Sequence, residues 1–289
     1  MKSPSDNPRI AFFGTPKIAG QILEKLINSN FKPQLVVTGA DIGQGRGKKL
    51  QTTPVKEIAQ KNHIKTIEPD NLLNVNFLKE FKAFSPDIVI LAAYGKIVPN
   101  KVLSIPKFGF VNIHPSLLPK YRGPSPIISA ILDGTKETGV TIMKLDEELD
   151  HGPILAQKKT EIANDDNHDT LAAKLALVGS DLLLATLPGY LQGSTSPKPQ
   201  HHLNATWTEK IEKQNGHIDL LNPPDPQTLN RMIRAYFPWP TVWSEINGKR
   251  IKFLPENKIQ PEGKRPMTIK EFLNGYPEFK DKIENLFKQ

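Results

Sequence analysis

The chain contains no cysteine among its 289 residues, and this absence removes several kinds of chemistry. A disulfide framework, a cysteine nucleophile and a thiolate metal site are all excluded. Any catalysis must therefore use oxygen and nitrogen side chains. A chain without thiols also suits a reducing compartment, so we expect a cytoplasmic protein.

Long apolar runs are missing as well. Residues 1–8 are polar and lack the apolar core of a signal peptide. The most apolar run, residues 88–93, is far too short to cross a bilayer. We therefore expect no membrane association.

The spaced glycines of a dinucleotide-binding turn are absent too. The turn Phe13-Gly14-Thr15-Pro16 follows the first predicted strand, but it lacks the glycines that let a backbone approach a pyrophosphate. A nicotinamide cofactor is therefore not expected.

Strands and helices alternate along the first half of the chain. Residues 9–13 predict a strand, Thr15 and Pro16 predict the N-cap and first position of a helix, and residues 35–38 predict a second strand. This βαβ unit requires a parallel pair of strands, and the alternation continues to a buried strand at residues 87–92. The pattern predicts an α/β fold with a Rossmann-like, mostly parallel sheet.

The charge is strongly positive, with a formal net charge of +8. Such a charge fits a polyanionic partner. A loop at residues 39–50 carries three closely spaced glycines and ends in three cations, Arg46, Lys48 and Lys49. These cations are suited to phosphate contacts, and the alternative is an ordinary solvated loop.

Two polar residues follow an apolar run at residues 108–111. Asn112 and His114 are two positions apart, so on a strand both side chains point to the same face. One is a neutral hydrogen-bond donor, and the other carries protons near neutral pH. Because open α/β sheets carry their chemistry at strand ends, this pair is a candidate site. The alternative is a turn asparagine beside a structural histidine.

Asp150 is a third candidate. It lies between Leu149 and a His-Gly-Pro turn, so we expect part of it to be withdrawn from water. The alternative is a turn aspartate whose carboxylate bonds its own backbone.

The composition changes after residue 188. Residues 189–200 are rich in Gly, Ser and Pro, which is typical of a linker. We expect a catalytic domain at 1–188, a linker at 189–208 and a C-terminal domain at 209–289. In the last, Asn247-Gly248 predicts a β-hairpin.

Taken together, these segments resemble the 10-formyltetrahydrofolate-dependent formyltransferases, and within that family the tRNA-directed branch. The matching blocks, in order, are FGTP (13–16), GRGKKL (45–50), AYG (93–95), NIHPSLLP (112–119), RG (122–123), ETGVTIM (137–143), LDHG (149–152) and IRAYFPWP (233–240).

The resemblance implies a formyltransferase fold with a small C-terminal β-barrel-like domain. It implies transfer of a formyl group from 10-formyltetrahydrofolate to the α-amine of methionyl initiator tRNA, for translation initiation. The co-substrate is a folate, no metal is required, and we expect a monomer.

The resemblance also implies roles for individual residues. The catalytic trio of the family falls on Asn112, His114 and Asp150, although the immediate proton acceptor stays open between His114 and Asp150. Four residues match the folate segment, and three match the tRNA-contacting loop: Ser116, Leu117, Leu118 and Pro119, then Arg46, Lys48 and Lys49.

The sequence departs from the family pattern in three places. The loop before Arg46 lacks a proline and an arginine that are often found there. His151 stands where a threonine is common. Near the C-terminus, residues 250–254 are followed almost directly by residues 260–267, without the glycine-punctuated strands that the family has between them. We therefore expect an abbreviated sheet with a terminal helix.

Three alternatives remain at this stage. A formyltransferase acting on a nucleotide-linked amino sugar shares the trio, but the basic loop argues against it. A glycinamide ribonucleotide enzyme lacks both the loop and the C-terminal domain. A non-catalytic RNA-binding relative fits the shortened C-terminal domain, but the intact trio argues against it.

Overall fold

The computed structural model describes residues 8–44, 49–246 and 248–287. It divides into two compact units. The first comprises Met1–Pro124, Thr138–Thr160 and Ala173–Trp207, and the second comprises Ser125–Glu137, Glu161–Ala172 and Thr208–Gln289. The domain boundaries expected at residues 188 and 208 stay a prediction.

The chain alternates strands and helices up to its seventh strand. This part consists of β1 (Ile10–Gly14), α1 (Lys17–Ile27), β2 (Leu35–Val37), β3 (Ile42–Gln44), β4 (Lys49–Gln51), α2 (Pro54–Lys61), β5 (Lys65–Ile67), α3 (Val75–Phe84), β6 (Ile88–Ala92), α4 (Asn100–Leu103) and β7 (Phe110–His114).

The rest of the chain begins with two further strands of the same sheet. It consists of α5 (Pro126–Leu132), β8 (Glu137–Lys144), β9 (Ile154–Glu161), α6 (His168–Leu191), α7 (Pro226–Ala235), β10 (Val242–Ile246), β11 (Lys249–Leu254), β12 (Lys258–Pro261), β13 (Met267–Thr268), α8 (Ile269–Gly275) and α9 (Lys280–Phe287).

A seven-stranded sheet confirms the expected Rossmann-like fold. Its strand order is β5-β2-β1-β6-β7-β8-β9, the first five strands are parallel, and β8 runs antiparallel to β7. Every residue of β1, β6 and β7 is buried, as expected for strands covered on both faces. The carboxyl ends of these three parallel strands meet at one edge, where β7 ends in His114.

An aromatic cluster packs against the strands that end at this edge. The ring of Phe13 makes edge-on contacts with Phe81, Tyr94 and Phe110, at centroid distances of 5.6, 5.2 and 5.3 Å. Such pairs contribute about 0.5–1.5 kcal/mol each beyond the burial of their area. They tie β1 and β7 to the loop that leaves β6.

Helix α6 is long and apolar enough, by length and composition, to cross a membrane. Several of its apolar side chains are nevertheless buried within the protein, among them Leu175, Leu183 and Leu187. Gly179 lets the helix approach the sheet closely, because a Cβ there would lie 2.8 Å from a methyl carbon of Ile113. These contacts are typical of a core helix that covers a sheet.

Thr15 does not cap α1 as the sequence predicted. The N-cap residue is Pro16, and it makes no side-chain capping bond. The Thr15 hydroxyl instead accepts from the Gly39 backbone N–H at 3.1 Å and donates to the Tyr94 carbonyl at 3.4 Å. The prediction was wrong because this side chain joins the loops that follow β1, β2 and β6.

Two short strands lie within residues 39–51. Ile42–Gln44 and Lys49–Gln51 pair as an antiparallel two-stranded ribbon, with Gln44 opposite Lys49. Arg46 and Lys48 lie outside the described residues.

The second unit carries the abbreviated sheet that the sequence predicted. Its four antiparallel strands have the order β10-β11-β12-β13. Ile246 pairs with Lys249, so β10 and β11 form the expected hairpin. Asn247 lies outside the described residues. The sheet and the helices α7, α8 and α9 share an apolar core that includes Leu229, Phe253, Phe272 and Ile283.

Candidate active site

Strand β7 presents both candidate residues at its carboxyl end. Asn112 pairs with Leu91 of β6 and Met143 of β8, so its position is fixed from both sides. The residue is 7% exposed, and its amide makes no hydrogen bond within the part of the chain that the structure describes. A buried amide without a protein partner is available to a ligand.

His114 is held at both ring nitrogens. Nε2 lies 3.0 Å from the Tyr121 carbonyl oxygen, and Nδ1 lies 3.5 Å from Oδ1 of Asp150. Because a carbonyl oxygen only accepts, Nε2 must carry a proton and donate it. This bond fixes the tautomer of the neutral imidazole and directs Nδ1 at the carboxylate.

The contact between His114 and Asp150 is therefore sensitive to one proton. Without it, lone pairs of Nδ1 and Oδ1 face each other at 3.5 Å. With it, the two side chains form either an imidazolium–carboxylate ion pair or a hydrogen bond from a carboxylic acid. Binding one proton converts a repulsive contact into an attractive one.

Asp150 is not a turn aspartate that bonds its own backbone. Its Oδ2 accepts from the Gly123 backbone N–H at 2.8 Å, across 27 positions of the chain. The residue is 7% exposed, and its φ of +50° lies in the left-handed region. Backbone of this kind in a non-glycine residue persists only where its surroundings fix it.

The segment that holds Asp150 is itself anchored from the region predicted as a linker. The Tyr121 N–H donates to the Thr206 hydroxyl at 2.8 Å, and the Arg122 N–H donates to the Thr206 carbonyl at 2.9 Å. Farther back, Lys198 and Ile154 exchange two backbone hydrogen bonds of 2.8 Å. Residues 198–206 of the predicted linker are therefore packed into the first unit.

The sequence reasoning missed three side chains here, namely those of Arg122, Gln200 and His202. All three are joined through hydrogen bonds of the Arg122 guanidinium. Arg122 was noted only as part of a matching block, and the other two lie in the predicted linker. No local sequence pattern marks them, because their partners are 78 and 80 positions away.

A pH dependence follows from His202. Its Nδ1 lies 2.8 Å from Nη2 of Arg122, which only donates, so the imidazole must be neutral in this arrangement. Desolvation lowers the pKa of His202, and the neighbouring His151 and Arg122 lower that pKa further, against a smaller opposite effect of Glu148 and Asp146. His151 also stacks on His202, with ring centroids 4.1 Å apart.

We therefore expect the protein to lose stability as the pH falls below about 6.5, the ordinary pKa of histidine. The folded state favours the neutral imidazole, so its contribution is complete above that pH and is lost through the lowered pKa. Melting temperatures at pH 7.5 and 5.5 measure the effect. His202→Asn, which keeps an acceptor, should show a smaller drop than wild type. The exposed neighbour His201, changed to Asn, should keep the wild-type drop, and equal drops in all three proteins would contradict the assignment.

The segment after His114 has most of its polar groups satisfied internally. The buried Ser116 hydroxyl donates to the Lys120 carbonyl at 2.6 Å, and the Leu118 N–H donates to the Thr141 hydroxyl at 3.1 Å. Leu117 and Pro119 are half-buried and keep part of their surface exposed, whereas Leu118 is buried. Of the four residues matched to the folate segment, Leu117 and Pro119 offer the accessible apolar surface.

The loop after β6 contains an unsatisfied donor. The Tyr94 side chain is 4% exposed, and among the described residues its hydroxyl has no hydrogen-bond partner. Burial raises the pKa of Tyr94 to about 12, so the hydroxyl stays protonated at neutral pH.

Two further observations concern Lys49 and the arrangement of possible metal ligands. Lys49 begins β4, and its side chain is not described. Within residues 8–44, 49–246 and 248–287, no group of three or more His, Asp or Glu side chains is arranged to hold a metal ion.

Comparison with known proteins connects this geometry to a family. A family model described as formyl transferase matches residues 8–187, and one described as formyl transferase, C-terminal domain, matches residues 210–258. The methionyl-tRNA formyltransferase of Thermodesulfovibrio yellowstonii is 38% identical over 92% of this chain and 95% of its own length. That of Enterococcus faecalis is 34% identical over 96% and 99%.

Solved structures share the fold at lower sequence identity. A 4-N formyltransferase from Francisella tularensis has a TM-score of 0.67 and 19% identity, covering 86% of this chain and 98% of its own. An N-formyltransferase from Helicobacter canadensis, described in complex with folinic acid and dTDP-3-aminofucose, has a TM-score of 0.63 and 22% identity, covering 87% and 94%. With both family models matched in order, the chain belongs to the formyl transferase family.

Proposed function

We propose that this protein transfers a formyl group from 10-formyltetrahydrofolate to the α-amine of methionine carried by initiator tRNA. The observation that carries the proposal is the buried His114–Asp150 pair beside the unpartnered amide of Asn112 at the end of β7. The tRNA substrate is supported by relatives named methionyl-tRNA formyltransferase, which are 34–41% identical over most of the chain.

Asn112 has the role of stabilising charge on the formyl oxygen. Attack by an amine on a formyl carbon moves negative charge onto that oxygen, and a fixed donor lowers the barrier by binding it. The side-chain NH₂ of Asn112 is suited to this because the strand fixes it and no described protein group competes for it.

The His114–Asp150 pair has the role of moving protons. The attacking amine must lose a proton and the departing nitrogen must gain one. Nδ1 of His114 and Oδ1 of Asp150 lie 3.5 Å apart, so the two side chains can hold one proton between them and pass it on. Nε2 is engaged by Tyr121, so we assign the exchanged proton to the contact between Nδ1 and Oδ1.

The folate supplies the formyl group on its N10 nitrogen when it is bound. Leu117 and Pro119 offer apolar surface to it, and residues 93–95 form a wall beside its pterin. The buried Ser116 and Leu118 hold the segment in shape. No step of the proposal requires a metal.

The tRNA is held by positive charge. Arg46, Lys48 and Lys49 contact the acceptor end, and the 209–289 region, with cations such as Lys252 and Arg265, binds the tRNA as a shortened domain. We propose that the protein acts as a cytoplasmic monomer without membrane association.

A substrate comparison tests the proposal. Purified protein is incubated with 10-formyltetrahydrofolate and, in separate reactions, methionyl initiator tRNA, dTDP-3-aminofucose or glycinamide ribonucleotide. We expect formylation of the tRNA at a kcat/KM far above those for the other two. Preference for the amino sugar or the ribonucleotide would overturn the tRNA assignment, and tRNA binding without any formylation would identify a non-catalytic relative.

Arg46→Ala is expected to weaken tRNA use selectively. The KM for tRNA should rise, and the salt dependence of tRNA binding should lose about one unit of slope, because one phosphate contact is removed. The KM for the folate should stay at its wild-type value. Steady-state kinetics at several salt concentrations measure both parameters.

Lys61→Ala is the matched control for Arg46→Ala. Lys61 is an exposed cation at the end of α2 with no proposed contact to tRNA. Its loss should leave the tRNA KM and the slope close to wild type. Equal behaviour of the two variants would show that the loop does not contact the tRNA.

A further inference from the structure

Gln200 uses the whole hydrogen-bonding capacity of its side chain next to the catalytic aspartate. The residue is 5% exposed. Its Nε2 donates to the backbone carbonyls of Asp150 and Gly152, at 2.9 and 2.7 Å. Its Oε1 accepts from Nε and Nη2 of Arg122, at 3.2 and 2.7 Å. With these four hydrogen bonds, the amide has no donor or acceptor left for another partner.

These bonds constrain the position of the Asp150 carboxylate in two ways. The first is direct, because the carbonyl of Asp150 belongs to the residue whose φ is +50°. The second passes through Arg122, whose neighbour Gly123 donates its N–H to Oδ2 of Asp150. Gln200 therefore joins the backbone that carries the carboxylate to the segment that receives it.

The turn after Asp150 has little room to move by itself. A Cβ at Gly152 would lie 2.0 Å from the Lys144 carbonyl oxygen, so this turn is pressed against β8. Gln200 is anchored as well, because Lys198, two residues earlier, exchanges both backbone hydrogen bonds with Ile154. The amide thus connects two fixed pieces of backbone.

We propose that Gln200 is a positioning residue of the active site, which holds Asp150 in its left-handed conformation so that Oδ1 stays directed at Nδ1 of His114. The proposal rests on the proposed function for its reaction. Gln200 itself does not touch the reacting atoms. Removal of the outer groups that orient metal ligands typically lowers metal affinity or activity by about 10- to 100-fold, and we expect an effect of that order here.

Gln200→Met tests the proposal with a side chain of similar length that makes no hydrogen bonds. We expect kcat to fall about 10- to 100-fold with the KM values for folate and tRNA within about twofold of wild type. Gln192→Met is the matched control, because Gln192 is an exposed glutamine just after α6. It should keep wild-type kcat.

A double-mutant cycle separates positioning from a general structural role. If Gln200 acts through Asp150, Gln200→Met should change kcat much less in an Asp150→Asn background than in wild type. Losses that multiply in the double variant would overturn the proposal, and so would a normal kcat for Gln200→Met. Melting temperatures establish that the variants compared are folded at the assay temperature.

A second variant keeps the test decisive if Gln200→Met does not fold. Gln200→Glu retains the acceptor for Arg122 but places carboxylate oxygen against the carbonyls of Asp150 and Gly152. It should lose at least as much kcat as the methionine variant, and wild-type kcat in it would contradict the proposal. A wild-type protein that formylates no methionyl-tRNA would refute the proposed function instead, so the two failures are distinguishable.

Discussion

Asp150→Asn is expected to lower kcat by about 10³- to 10⁴-fold while leaving the fold intact. Replacing the carboxylate of a catalytic carboxylate–imidazole pair by an amide has an effect of about this size in other enzymes. Here the amide oxygen still accepts from the Gly123 N–H, and the amide NH₂ can donate to Nδ1 of His114. The contact becomes a permanent hydrogen bond that no longer takes up a proton.

The backbone makes asparagine the informative replacement. Asparagine adopts left-handed backbone more readily than most residues, so the φ of +50° at this position adds little strain. Asp150→Ala differs in two respects. It places alanine in that conformation, and it leaves the buried Gly123 N–H without its acceptor, which costs about 1–3 kcal/mol of unfolding free energy. Only the alanine variant should therefore show a clearly lower melting temperature.

Steady-state kinetics and thermal denaturation of both variants measure these effects. Asp181→Asn is the control for loss of an acidic group, since Asp181 of α6 forms an exposed ion pair with Lys25 of α1. Exposed pairs contribute about 0–1 kcal/mol, so its kcat and melting temperature should stay near wild type. Near-normal turnover in Asp150→Asn would remove Asp150 from the mechanism.

The sequence predicted the elements whose causes are local. The apolar runs of β1, β6 and β7 identify buried strands, and the alternation with helices identifies a parallel sheet. A threonine followed by a proline does begin α2, where the Thr53 hydroxyl accepts from the Lys56 N–H at 3.2 Å. The same reasoning failed at Thr15, whose partners Gly39 and Tyr94 lie in distant loops.

The residues of the site also fall into two groups, those that local sequence indicated and those that it did not. Asn112 and His114 were candidates from their spacing on one strand, and Asp150 from its place beside a turn. The groups that position them were not found, because each bond spans a long stretch of chain. Gln200 reaches Asp150 across 50 positions, and nothing near residue 200 indicates which backbone its amide meets. The segment that contains Gln200 has a composition typical of linkers, and this composition gives no sign of its hydrogen bonds to Arg122 and Asp150.

Asn112→Ala is expected to lower kcat by about 10²- to 10³-fold with little change in either KM. This is the usual effect of removing one donor to a developing oxyanion, because the interaction is stronger in the transition state than in the bound substrate. The rate loss should therefore appear in kcat and in kcat/KM to the same extent. Single-turnover formylation with saturating folate and tRNA isolates the chemical step.

The stability of the Asn112 variant distinguishes a catalytic from a structural asparagine. A structural asparagine would lose hydrogen bonds on truncation, and the protein would melt earlier. Asn112 has no partner among the described residues, so Asn112→Ala should melt at or above the wild-type temperature while its turnover falls. Asn30→Ala, at an exposed position between α1 and β2, should leave turnover unchanged. A lower melting temperature with normal turnover in Asn112→Ala would show that Asn112 is a structural and not a catalytic residue.

Asn112→Asp adds the decisive comparison, because it has the same shape and the opposite electrostatic effect. The aspartate offers no N–H to the formyl oxygen and places negative charge where negative charge develops. Its kcat should therefore fall below that of Asn112→Ala, although the side chain fills the site better. If the two variants kept equal turnover, the role of Asn112 would be to shape the site and not to bind the oxyanion.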